Sequence, residues 1–171
     1  MAEANKLFSR FWSPIASALG YLDLDIRVIR YQEDQQLYMG VVNKTGGEAA
    51  KLATRLTPEQ IALFRMVLDE ILRDDTSVER GVDVISALNA TQAAPTTQGE
   101  TADGGLSQAQ TQSVAKMSKT DKEATLKHLC ADGWLAQTDD AAGFLKLGVR
   151  AFLELKEFLL EQAPERARAK W

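Results

Sequence analysis

One histidine and one cysteine are the sharpest chemical tools in this chain, and they stand two residues apart as His128 and Cys130. On a helix that spacing points the two side chains in different directions, whereas a shared ion needs ligands on one face and about four of them for zinc. As a nucleophile Cys130 would have His128 as its sole base and no third group to orient it. Cys130 therefore reads as a small core residue and His128 as a surface one, and no residue is assigned a catalytic, metal-binding or cofactor-binding role. Gly46 and Gly47 are not followed by the Lys-Ser or Lys-Thr that a phosphate loop requires. Cations offer more. Lys116, Lys119, Lys122 and Lys127 lie on or just before one helical stretch, and Lys146 lies on a strand soon after. They are the candidate DNA contacts, since phosphate recognition needs clustered positive charge. Asp121, Glu123, Asp132, Asp139 and Asp140 dilute the same surface. Two readings stay open, a solvated helix face or a weak phosphate contact made inside a larger assembly. Trp134 could stack on a base, but as the first residue of a strand it is expected to plug the core. Arg166, Arg168 and Lys170 are too few for a convincing nuclear signal.

The charge balance supports caution about nucleic acid. Of 171 residues, 20 are basic and 24 acidic, for a net charge of −4. Residues 1–89 carry 10 basic and 13 acidic side chains and residues 90–171 carry 10 and 11, so neither half is basic. Strong autonomous DNA binding is not expected. A composition 45% hydrophobic and 26% charged is that of a globular protein. The single cysteine excludes an intrachain disulfide and fits a reducing compartment. No apolar run reaches the roughly 18 to 20 residues that a membrane span needs, and no leader pattern opens the chain, so an intracellular, soluble protein with no membrane role is expected.

The elements that must position these residues follow from periodicity. Leu7, Phe8, Phe11, Trp12, Ile15 and Leu19 recur every three or four residues, which predicts an amphipathic helix with Gly20 as its left-handed cap. From Leu22 the period becomes two: Leu22, Leu24, Ile26 and Val28 alternate with Asp23, Asp25 and Arg27, which predicts a half-buried strand with Leu37 to Val42 as its hairpin partner. A short helix is expected around Ala49 to Leu56. Thr57, Pro58 and Gln60 form a capping box for a helix whose buried stripe is Ile61, Phe64, Val67, Leu68, Ile71 and Leu72. A shorter helix carries Val82, Ile85 and Leu88 on one side. Residues 90–113, rich in Ala, Thr, Gln and Gly, are expected to form a disordered insertion. Ser118, with Asp121 three residues on, caps a helix whose inward residues are Leu126, Leu129 and Cys130, and Gly133 stops it. Trp134-Leu135 and Phe144 to Leu147 form a second hairpin, and a helix carrying Val149, Phe152, Leu153, Leu155, Leu159 and Leu160 precedes an exposed tail from Pro164 to Trp171.

From Thr57 onward the order of helix, helix, insertion, helix and hairpin is that of a winged helix. The expected class is mainly α with small β-hairpins, an α+β protein of tandem winged-helix type whose first unit is incomplete. Residues 1–56 form the partial unit (a helix, a wing hairpin and a short helix), residues 57–162 the second unit with its 90–113 insertion, and residues 163–171 a tail. Several short helices carry more apolar face than one small domain hides, and such surplus serves protein interfaces. Phe8, Phe11, Trp12 and Ile15 are the candidate partner interface.

These residues resemble a known family, the non-SMC element 1 subunit of the structural maintenance of chromosomes 5/6 complex. The resemblance is most specific in Tyr38 to Asn43, in Ala50 to Thr54, in the apolar helix Ile61 to Leu72 with its Leu63-Phe64-Arg65, and in Trp134-Leu135 followed by Leu147, Gly148, Arg150 and Ala151. It spans about residues 5 to 165, and the 90–113 insertion departs from it. It implies a non-catalytic interaction subunit that binds a MAGE-type partner and other subunits of the complex, acting in DNA repair and recombination, with a nuclear location. It also implies a zinc-binding RING-like domain that supports ubiquitin ligase activity. None of that domain's ligands occurs here, so the chain is expected to be inactive alone, and the tail to lead toward the missing domain. The first unit is expected to lack its opening helices. A ligase component without its RING, and a winged-helix DNA-binding regulator, remain the alternative readings.

Overall fold

The computed structural model describes residues 2–44, 55–90, 112, 114–138, 143–169 and 171, without the side chains of 2–9 and 90. The short helix expected around 49–56 therefore lies outside the described residues except for Arg55 and Leu56. So does the 90–113 insertion except for Ala90 and Gln112.

Helix α1 runs from Ala2 to Leu19 and passes into a tight turn, Gly20–Leu22, before strand β1, Leu24–Arg30. The left-handed residue at this corner is Asp23 (φ 57°), not Gly20. Aspartate is one of the few L residues that adopts this conformation readily, because its short carboxylate satisfies nearby backbone groups. Strand β1 pairs antiparallel with β2, Leu37–Asn43, in unbroken register from Leu24–Asn43 to Arg30–Leu37. Within the connection the Tyr38 hydroxyl donates to Asp34, which holds the Asp34 carboxyl below its usual range and the Tyr38 phenol above its own.

Helix α2, Pro58–Leu72, begins with the expected capping box: the Gln60 amide N–H donates to the Thr57 hydroxyl and the Thr57 N–H donates to the Gln60 side chain. Its stripe is buried as expected apart from the half-buried Ile61, with Ala62 and Leu63 added to it. The expected single helix over Val82, Ile85 and Leu88 is instead three elements. These are α3 (Asp75–Arg80, capped by Asp74), β3 (Val82–Asp83) and α4 (Val84–Ala90). Gly81 (φ 87°) breaks the helix, and its N–H closes the last turn of α3 on Ser77. Val82 is consequently a buried strand residue while Ile85 points outward.

Helix α5, Lys119–Ala131, starts at Ser118, whose hydroxyl accepts from the Asp121 N–H and donates to its carboxylate at 2.6 Å, and it stops at Gly133 (φ 76°). Strands β4 (Leu135–Gln137) and β5 (Phe144–Leu147) complete a second antiparallel sheet in the order β3-β5-β4. One core joins these parts. Phe64 of α2 lies 5.7 Å from Trp134, which is only 2% exposed, and Leu129, Leu135, Leu145 and Leu159 are buried around them. Trp134 is thus the expected core plug. The Arg150 guanidinium covers its other side 4.4 Å from the ring and is held by Glu154 at 2.6 Å.

The last expected helix is broken at Leu155 into α6 (Val149–Glu154) and α7 (Lys156–Gln162). The break frees the Leu153 carbonyl, and Arg27 of β1 takes it at 3.0 Å while also pairing with Glu157 at 2.6 Å. The expected exposed tail is also corrected. Ala163 and Ala167 are buried, helix α8 (Glu165–Arg168) packs near α3, and Trp171 meets Phe152 edge-on at 5.1 Å. Alanine is small enough to pack where larger apolar residues would not fit, which hides this segment from a search for apolar stripes.

Candidate interaction surface

The hairpin β1-β2 has two faces, and the rest of the chain covers the one that the alternation did not favour. Asp25, Arg27 and Ile29 lie opposite Val42, Gly40 and Tyr38, and this face packs on α6. Val42 is 2% exposed. A Cβ on Gly40 would stand 3.1 Å from Leu153 Cδ1, so glycine allows the helix its close approach. Tyr31, just past β1, is buried and donates its hydroxyl to the Leu147 carbonyl at 2.9 Å. Burial, with Glu33 and Asp34 nearby, pushes its phenol up to about 12.

The opposite face carries the pairs Ile26–Val41, Val28–Met39 and Arg30–Leu37. It is left open: Val41 is 58% exposed and Leu37 66%, with Met39, Val28 and Leu22 also outside. On α1, which packs against β1, Phe11 and Ile15 are exposed one turn apart, whereas Trp12 is half-buried. Phe11 and Ile15 thus match the expected interface by exposure, Trp12 contributes only an edge, and the Phe8 side chain lies outside the described residues. Of the nine large apolar side chains that stand exposed among the described residues, eight fall between Phe11 and Val41, so the exposed apolar surface described is concentrated at this end of the molecule. The hairpin residues were missed because their alternation was read as facing inward.

The five lysines do not form one patch. Lys122 is buried, only 4% exposed, and burial lowers the pKa of its ammonium. The expected DNA contact at Lys122 is therefore corrected: position 122 faces the core together with Thr125, Leu126 and Leu129. Lys146 is mostly covered and paired with Glu33 at 2.9 Å, an engagement that opposes its expected role. Lys116, Lys119 and Lys127 are exposed, with the Lys119 ammonium 3.9 Å from Glu123. His128 is half-exposed beside Asp132 at 3.4 Å, and the half-buried Cys130 has its thiol pKa raised by burial, which suppresses the reactive thiolate. Among the described residues no group of three or more His, Cys, Asp or Glu could hold a metal ion, and no helix is long and apolar enough to cross a membrane.

Two small antiparallel sheets packed with helices around one core define the class, a small α+β domain, and it leaves an apolar face in the open. The comparison with known families is more particular. A family model described as "Nse1 non-SMC component of SMC5-6 complex" matches residues 1–155, and the chain belongs to that family. Among solved structures it is similar to a chain of an "Nse1-Nse3-Nse4 complex", with 21% identity and a TM-score of 0.65 over 90% of its own length. The match covers 56% of that longer chain. No curated protein matches the sequence.

Proposed function

We propose that this chain is a non-catalytic docking subunit of a complex of the SMC5-6 kind, and that the open face of α1 and the β1-β2 hairpin receives a MAGE-type partner, the role taken by Nse3 in the similar complex. The observation that carries this reading is the concentration of exposed apolar side chains on that one face. Burying such a face releases about 25 cal/mol per Å² of apolar surface, and a few central side chains supply most of the affinity. The reading includes a tandem winged-helix architecture. Its support is the order α2, α3, β3, α4, α5, β4, β5 around a three-stranded sheet, in which the short α3 is an addition to the winged-helix order, preceded by a helix and hairpin that match the end of a first such unit. It also includes action in DNA repair and recombination, a nuclear location, and weak DNA contact through Lys116, Lys119 and Lys127 within the assembly. Zinc and ligase support are proposed for a RING-like module of the family, not for these residues.

The test is co-purification of the chain with a MAGE-type subunit, comparing wild type with Phe11→Ala combined with Val41→Asp. Both positions are exposed, so the folded chain should keep its circular dichroism while losing the partner. Retention of the partner by a folded double variant overturns the placement of the interface.

A further inference from the structure

At the Val28–Tyr31 end of β1, where the hairpin meets α6 and α7, lies a groove of about 490 Å³. Ile29, Phe152, Leu159, Leu160 and Trp171 line it, and the edge-on contacts of Phe152 with Trp171 and Tyr31 give it aromatic walls. The charged side chains of its lining are all positive: Arg30 and Lys156, both exposed, with Gln32 and Gln35 adding amides. In a chain with a net charge of −4 this local sign is against the average. The nearby carboxylates are already engaged. Glu157 pairs with Arg27, Glu33 with Lys146, and Asp34 accepts from Tyr38. Neither Arg30 nor Lys156 forms an ion pair with any described residue.

We infer that this groove captures a short extended segment of a protein partner in which a large apolar side chain sits beside Asp or Glu. The volume suits one or two such side chains. The aromatic walls bury them, and the two unengaged cations select the acidic flank. The groove borders the proposed docking face at Val28 and Arg30, but the test of that face rests on Phe11 and Val41, so either can fail without the other.

The full chain is titrated at low salt against three fluorescent probes by anisotropy. They are a Glu-Phe-Glu-Leu-Glu peptide, its twin with Lys in place of each Glu, and a single-stranded oligothymidylate. The acidic peptide is expected to bind at least about tenfold more tightly than its twin, and Arg30→Glu with Lys156→Glu to weaken it about tenfold, the loss of two solvent-screened charge pairs. Arg30→Lys with Lys156→Arg should retain binding. If the reversal variant does not fold, Arg30→Gln and Lys156→Gln singly should each weaken binding about two- to threefold. The inference fails if the acidic peptide does not bind, if both peptides bind alike, if these variants bind unchanged, or if the oligothymidylate binds better.

Discussion

Gly148 joins β5 to α6, and replacing it with alanine tests how the start of α6 is held against the turn between α5 and β4. Its backbone (φ −85°, ψ 167°) suits any residue, so left-handed geometry is not what calls for glycine here. Crowding does. The Gly148 N–H donates to the Trp134 carbonyl at 2.9 Å, and the Arg150 N–H donates to the Gly133 carbonyl at 3.0 Å, so two backbone segments cross in contact. A Cβ at 148 would lie 2.9 Å from the Leu135 oxygen and 2.7 Å from the Gly133 carbonyl carbon, closer still to that carbonyl's oxygen. Relief requires the segments to part by about 1 Å, stretching both hydrogen bonds. Overpacking costs about 1 to 3 kcal/mol, and the upper end applies because backbone, unlike a flexible side chain, cannot swing away. At about 2 to 4 °C per kcal/mol for a chain of this size, Gly148→Ala should melt about 6 to 12 °C below wild type by far-ultraviolet circular dichroism. Gly20→Ala is the control, since nothing lies within 4 Å of the added methyl, and it should melt about 1 to 4 °C above wild type through the stiffer unfolded chain. A Gly148→Ala protein that melts with wild type would refute the reasoning, because the crossing would then yield at no cost.

The capping box gives a second expectation: Thr57→Ala should cost α2 about 1 kcal/mol, read as a lower urea midpoint with unchanged slope. Tyr31 sets the alkaline limit. Its folded pKa is raised to about 12, so between the ordinary phenol value and that point the unfolded chain ionises first and stability falls as pH rises. Tyr31→Phe should flatten this fall in urea titrations, although it is less stable at neutral pH through loss of the bond to Leu147. Within the assembled complex, Lys119→Glu with Lys127→Glu should weaken DNA binding and lower the salt slope by about one per lost contact, whereas Lys122→Met should change neither. An equal effect of Lys122→Met on the salt slope would contradict its burial.

Local chemistry makes much of residues 57–162 legible in advance. Thr57 and Ser118 announce helix starts, Gly133 a stop, and Trp134 a core position, because caps and large apolar residues act within a turn or two of themselves. What escaped depends on distant partners. Nothing near Leu155 in sequence forecasts the break between α6 and α7. The Leu153 carbonyl freed there is taken by Arg27, 126 residues away. Lys122 looked like a surface cation because lysines usually are. It lies instead beside Leu88, Asn89 and Met117, on the side of α5 that meets α4. The candidate surface is half visible: Phe11 and Ile15 belong to a stripe that periodicity reveals, while alternation puts Leu22 and Val28 on the buried side of a strand and says nothing of the side on which Leu37, Met39 and Val41 lie.

That misassignment has a physical origin with functional weight. Alternation identifies two faces of a strand but cannot say which one the chain itself will cover. Here the inner face is fastened by specific bonds and close fit, through Arg27 to the Leu153 carbonyl and Glu157, Tyr31 to the Leu147 carbonyl, and Gly40 against Leu153. The outer face keeps Ile26–Val41 and Val28–Met39, pairs that would ordinarily drive a hairpin onto a core. A chain selected only for its own stability would gain by turning this hairpin over or by making its outer residues polar. The polar anchoring holds the apolar side outward, and under the docking proposed above the stability forgone becomes binding energy for the partner. Arg27→Met therefore separates two roles. It should loosen the hairpin and raise hydrogen exchange in β1 and β2, and a bound partner should restore protection to the outer strand residues only if that face is the one it buries.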